Sequence, residues 1–219
     1  MSYSLLYHHR LILHSILSSP IISCSRVPHQ QQIPQLHTCT LQLVLGGLTD
    51  NTLAGFSNSD FANCPDTSCS IAAYCFGLGS GMISWCSKKC DNPTDSSCYS
   101  KYTALHGAAW EGIFLQQLLQ ELGLLKSGPK KCPPTSIFCD NDAAIHLSED
   151  SVWHSNTKHF CVKLHYTHDQ VRTGELQILH VPLAENVADI LTKSLSCPAF
   201  QYLRSHLRIC ALNQDGATD

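Results

Sequence analysis

Charge is scarce in this chain: Asp, Glu, Lys and Arg make up 14% of its 219 residues. With 14 basic and 17 acidic side chains the balance is 14 − 17 = −3 at pH 7, so no global positive field draws the chain onto nucleic acid or anionic lipid. Any such binding has to be local. No acidic residue precedes Asp50. No C-x-x-C pair occurs among the 13 cysteines, whose number is odd and whose gaps are irregular. That excludes a recognisable secreted disulfide framework or zinc ribbon. Cys86 with Cys90, and Cys64 with Cys69, lack a second pair at ligand spacing, so these thiols are expected mostly as small buried hydrophobes in a reducing compartment. Long apolar runs are missing too. The stretch from Leu11 to Cys24 is short and interrupted by Pro20, below the roughly 20 residues a bilayer span requires. The expected setting is therefore intracellular, cytoplasmic or nuclear, with no membrane partner.

What is present suffices for a core, because 43% of the residues are apolar. The length fits one domain with flanking segments. Residues 1–49 stand apart: they are rich in Leu, Ile, Ser, His and Gln and carry only Arg10 and Arg26 as charges. Two readings fit them, a targeting peptide and a poorly defined leader or remnant of an upstream region, and Pro20 favours the second. A folded domain is expected over 50–209, with a tail at 210–219.

From residue 52 the pattern alternates between strands and turns, with strands expected at 52–58, 70–78 and 82–87 and glycines between them. Short connections imply an antiparallel meander. Asp95, Ser96 and Ser97 offer capping oxygens to a long helix over 97–122, in which Leu105, Ala109, Ile113, Leu118 and Leu122 recur near helical spacing. Pro133 and Pro134 precede a β-rich run at 135–139, which meets Asp140, Asn141 and Asp142, a natural helix start. Another helix is expected at 157–172, a strand at 175–181, and C-terminal helices at 186–193 and 200–207, separated near Pro198. The order βββ, α, β, α, α, β, α favours an α/β fold with a mixed sheet flanked by helices.

In such sheets functional groups collect where strands end and helices begin. Asp140 sits at one such junction and Asp189 follows the last strand. By residue type alone, Asp140 reads equally well as a helix cap, and Asp189 as a solvated helix residue.

Several runs bear on that choice: GFSNSDFANCPDT at 55–67, GSGMISWCSKKC at 79–90, CDNDAAIHL at 139–147, HSNTKHF at 154–160 and ENVADILTKSL at 185–195. In this order they resemble the RNase H domain of copia-type retrotransposon polyproteins. The resemblance covers about 155 residues, from near Thr52 to about Leu207. It implies an RNase H-like fold with a five-stranded mixed sheet, three antiparallel strands followed by parallel additions. It also implies hydrolysis of the RNA strand of an RNA–DNA hybrid with magnesium. In the family the domain follows a reverse transcriptase. Residues 1–49 do not match one, though TCTLQLVLGG at 38–47 is a candidate trace of the connection.

Two-ion hydrolysis places the metals about 3.5 to 4 Å apart, one activating water and one stabilising the leaving oxygen. Magnesium takes hard oxygen ligands in near-octahedral geometry, so the protein must supply clustered carboxylates. The resemblance carries four acidic positions onto this sequence. Asp140 and Asp189 keep theirs, and the first falls on Asn58, an amide. The second lies in SSCYSKY at 96–102, with Tyr99 where the family's first Glu belongs and Lys101 at the next. Losing two of four carboxylates halves the charge opposing the ions, so loss of activity is expected. The alternatives are a one-metal nuclease held by Asp140, Asp189 and a shifted Asp60, and a non-catalytic nucleic-acid-binding module. Local positive candidates for nucleic acid are Lys88 and Lys89, Lys130 and Lys131, and Lys158 and Lys163 near His154, His159 and His165. His154 and His159 as zinc ligands would need a Cys at matching ligand spacing, which the sequence lacks.

Overall fold

The computed structural model describes residues 41–44, 52–62, 67–79, 81–90, 96–125, 133–149 and 161–211, and the elements below are drawn from these. In chain order they are β1 (Leu41–Leu43), β2 (Leu53–Asp60), β3 (Ile71–Leu78), β4 (Gly81–Lys89), α1 (Ser97–Glu121), β5 (Thr135–Cys139), α2 (Asp142–Glu149), α3 (Cys161–Arg172) and β6 (Leu176–His180). Two 3₁₀ turns follow at Leu183–Glu185 and Val187–Leu191, then α4 (Cys197–His206) and β7 (Ile209–Ala211).

Five strands form one sheet in the order β4-β3-β2-β5-β6. β2, β3 and β4 pair antiparallel, and β5 and β6 add in parallel. This is the mixed sheet expected from the sequence. The meander closes through Gly79, whose φ of +58° suits a residue without a side chain. β5 starts just after Pro133 and Pro134 and ends before Asp140, so its bounds coincide with the expected ones.

Alternation along β3 divides the core in two. Tyr74 and Phe76 face one layer and Ala73 and Cys75 the other. On the first face α1 lies across the sheet, burying Tyr102, Leu105, Ala108, Ala109, Leu115 and Leu119 against Phe76, Ile137 and Leu176. Ser96 caps this helix, its Oγ accepting the Tyr99 N–H at 3.2 Å. α3 packs on α1 through Tyr166, which stacks on Trp110 with ring centroids 4.3 Å apart. On the second face Val187, Ala188, Leu191, Leu203, Leu207 and Ile209 cover the sheet.

Three differences from the sequence reading have local causes. Residues 186–193, expected as an α-helix, form a 3₁₀ turn. Asn186 is buried and caps it, its Oδ1 accepting the Ala188 N–H at 3.2 Å, while Thr192 Oγ1 donates to the Asp189 carbonyl at 3.1 Å and closes the turn early. Pro198 does not separate two helices: it lies in the first turn of α4, where a missing N–H costs nothing. The cysteines are less buried than expected. Of the eight whose side chains are described, Cys69, Cys75 and Cys139 are buried, while Cys86, Cys90 and Cys98 are half-buried and Cys197 and Cys210 exposed. β4, an edge strand, and the outer sides of α4 and β7 carry several of these.

β1 pairs antiparallel with β7, Gln42 opposite Cys210, and Leu41 and Ile209 join the second core layer. The packed unit thus reaches outside the 50–209 span at both ends. Of the expected leader at 1–49, residues 41–44 are described and the rest lies outside the described residues.

Candidate active site

Register brings the site together at one end of the sheet. β2 and β5 run parallel with Ser57 beside Cys139, so Asn58 and Asp140, the next residue of each chain segment, are neighbours. α1 is pinned to the same strand by a hydrogen bond between the hydroxyls of Ser59 and Ser100. That contact delivers Lys101. The 3₁₀ turn carrying Asp189 is tied to β2 by Asn186 Nδ2, which donates to the Ser57 carbonyl at 3.0 Å, and to β4 by Ser87 Oγ, which donates to the Leu191 carbonyl at 2.7 Å.

Lys101 Nζ lies 2.7 Å from both oxygens of Asp140 and 2.7 Å from Asn58 Oδ1. One ammonium thus donates to three oxygens, and the Asp140 side chain it meets is 3% exposed. Asn58 Nδ2 donates to Asp189 Oδ1. The other oxygen of Asp189 pairs with Lys193 Nζ at 2.9 Å, one helical turn along the chain. Asn58, itself 1% exposed, is the hub: its carbonyl faces one ion pair and its amide the other. Two carboxylates meet two ammoniums, and the cluster is neutral without any added cation.

Asn58, Asp140 and Asp189, placed together from the sequence, thus do converge. The helix side chain that joins them is Lys101. Tyr99 lies two residues earlier, about 200° around the helix; its N–H donates to Ser96 Oγ and its carbonyl accepts Thr103 Oγ1 at 2.9 Å. Asp140 does not cap α2. Asn141 does, accepting the Ala144 N–H at 2.8 Å, which leaves the Asp140 carboxylate to the cluster. Asp60 ends β2, two residues and roughly 6 to 7 Å beyond Asn58. Glu111 is engaged elsewhere, accepting from Ser84 Oγ at 2.5 Å. Among the described residues no three His, Cys, Asp or Glu gather as a metal site.

Lys88 and Lys89 are exposed at the end of β4. The register runs Asp60, Ile71, Lys89 across three strands, so both lysines lie at the same end of the sheet as the cluster. His154, Lys158, His159, Lys130 and Lys131 lie outside the described residues, as does the side chain of Lys163. No described helix is long and apolar enough to cross a membrane.

No family model matches the sequence. It is similar to the retrovirus-related Pol polyprotein from transposon RE1 of Arabidopsis thaliana, 35% identical over 161 residues, which is 73% of this chain and 11% of that polyprotein. It is also similar to the Pol polyprotein from transposon RE2 of the same plant, 37% identical over 69% of this chain and 10% of the other. A third such relative, from transposon TNT 1-94 of Nicotiana tabacum, is 35% identical over 69% of this chain and 11% of its own length. Solved structures similar to it include RNase H1 from Halobacterium salinarum, with a TM-score of 0.43 and 14% identity over 64% of this chain and 94% of the other. Another is the foamy viral protease-reverse transcriptase in complex with RNA/DNA hybrid, with a TM-score of 0.46 and 16% identity over 74% and 23%. The fold stands on its own strand order. The motifs in their order and the identity over about seven tenths of the sequence make the chain a homologue of the retrovirus-related Pol polyproteins of copia-type transposons, of whose length it spans about a tenth.

Proposed function

We propose that this chain is an RNase H-like segment of a transposon Pol polyprotein that does not hydrolyse the RNA strand of a hybrid through two magnesium ions. The observation that carries this reading is Lys101 Nζ at 2.7 Å from both Asp140 oxygens and from Asn58 Oδ1. A pair of divalent ions brings about +4 and needs bridging oxygens of hard carboxylate character. Here two carboxylates are present and each is already paired with a lysine. A metal approaching Asp140 would meet an ammonium first. The residues do not fit the pair of ions. A single ion held with Asp60 fares no better, since that carboxylate starts roughly two strand residues away.

The test is cleavage of an RNA–DNA hybrid by the full chain in magnesium, beside an Asp140→Asn control. The expected result is equal background in both. Cleavage by the wild type that disappears in the control overturns the reading.

The position of Lys88 and Lys89 supports a remaining affinity for nucleic acid, with His154, Lys158 and His159 as further contacts carried over from the resemblance. Such contacts go to phosphate and carry no sequence preference. Hybrid affinity should fall steeply with salt, and Lys88→Ala with Lys89→Ala should lower the slope of log K against log salt by about 1 to 2. A slope unchanged by the double substitution removes these lysines from the interface.

A further inference from the structure

We infer that Lys101 is a built-in replacement for the divalent cation, so that the carboxylate cluster has become a structural ion-pair network whose integrity is independent of magnesium. The inference deepens the reading above and uses it for the correspondence of the four positions. Four elements, β2, α1, the end of β5 and the 3₁₀ turn, still aim residues 58, 101, 140 and 189 at one point. In a site of four acids, mutual repulsion is relieved either by protonation or by bound cations. Here the relief is covalently attached: Nζ stands where it touches three oxygens from two side chains, as a hard cation would. Lys193 does the same for the outer oxygen of Asp189. Asn58 completes the network, because its amide can face an ammonium and a carboxylate at once, which a carboxylate at that place cannot do.

Two consequences separate this network from an ordinary cluster of surface charges. Stability of the wild-type chain is indifferent to magnesium. The four positions still converge, so Asn58→Asp combined with Lys101→Glu should turn a self-neutralised site into one stabilised by the ion.

Thermal melts of the full chain are measured in EDTA and in 10 mM magnesium chloride at matched ionic strength. Wild-type Tm is expected to agree within about 1 °C between the two. The double variant is expected to melt lower in EDTA and to gain about 5 °C or more in magnesium, as for a ligand well above its Kd. A variant unfolded in EDTA is followed by circular dichroism as magnesium is added: folding supports the inference, and failure to fold overturns it. It also falls if the wild type gains as much Tm from magnesium as the variant, or if a folded variant ignores the ion. Cleavage of hybrid by a wild type whose melts are flat in magnesium would sink the nuclease-inactive reading while leaving the network intact, so the two fail separately.

Discussion

Pairing at Asp140 and at Asp189 differs in how much water remains. Both carboxylates are buried, Asp140 at 3% and Asp189 at 6%, but Lys101 is 16% exposed and Lys193 31%. Removing one partner of a buried pair leaves an uncompensated charge, at a cost of about 3–5 kcal/mol when both groups are dry. Exposed pairs contribute about 0–1 kcal/mol. Lys101→Met should therefore destabilise the chain by about 2–4 kcal/mol in urea denaturation and Lys193→Met by about 1 kcal/mol or less, since Asp189 keeps the Asn58 amide. Equal losses would contradict the ordering. Lys101 was also readable as a site residue from the sequence. Leu105, Ala109 and Ile113 mark the inward stripe of the helix, and Lys101 continues it one turn earlier, while Tyr99 falls off it. The motif alone offers two adjacent acidic places, and only helical phase chooses between them. That this lysine reaches both Asp140 oxygens could not be read in advance, because it depends on the parallel register of β2 and β5.

At the scale of elements, the approach of α1 to the sheet is set by small residues on either side of the Phe76 ring. A Cβ added at Gly55 would run into that ring, and one at Gly112 would come within 3.2 Å of it. Gly55 belongs to β2, whose central place in the sheet leaves no room to shift. Gly55→Ala should cost about 1–3 kcal/mol as overpacking, measured by chemical denaturation. Gly112→Ala should stay within about 1 kcal/mol of wild type, because the gain in helix propensity offsets a contact the ring can absorb. A Gly112→Ala variant hurt as badly as Gly55→Ala would place the rigid contact on the helix side instead. Elements bounded by strong local signals were legible: β5 between two prolines and an aspartate, and α1 by its serine cap and long periodicity. The β1–β7 pair was not, since three-residue strands carry no periodicity and their pairing joins opposite ends of the domain. The 3₁₀ turn at Val187–Leu191 has helical composition, and what shortens it is the tertiary commitment of Asn186 to the Ser57 carbonyl.

Across the whole molecule, two core layers enclose ionisable groups that stay neutral on folding. Burial pushes the Cys75 thiol up to about 12, and burial, partly offset by a hydrogen bond with Thr167, holds Tyr102 at about 12. Burial also raises Cys139, and burial with the nearby Cys86 and Glu111 raises Tyr74. In each case the folded chain holds its proton to higher pH than the unfolded chain. The stabilisation is therefore fully present below the unfolded values, near 9 for a thiol and 10 for a phenol, and is lost as pH climbs toward the folded ones. Each such group removes up to about 1.4 kcal/mol per pH unit in that window, so for Cys75 the loss at pH 10.5 approaches about 2 kcal/mol. Tyr74, Phe76 and Tyr102 line one layer and Cys75 the other, so ionisation on either side of β3 opens the same sheet. Urea denaturation under reducing conditions should give a flat stability from pH 7 to about 8.5, then a decline that steepens toward pH 10.5. Cys75→Ala should be less stable at pH 7 yet decline more gently, because one of the ionising groups is gone. A wild-type curve flat through pH 10.5, or a Cys75→Ala curve parallel to it, would mean that the sheet tolerates charge in its interior and that the two layers do not exclude water as their packing implies.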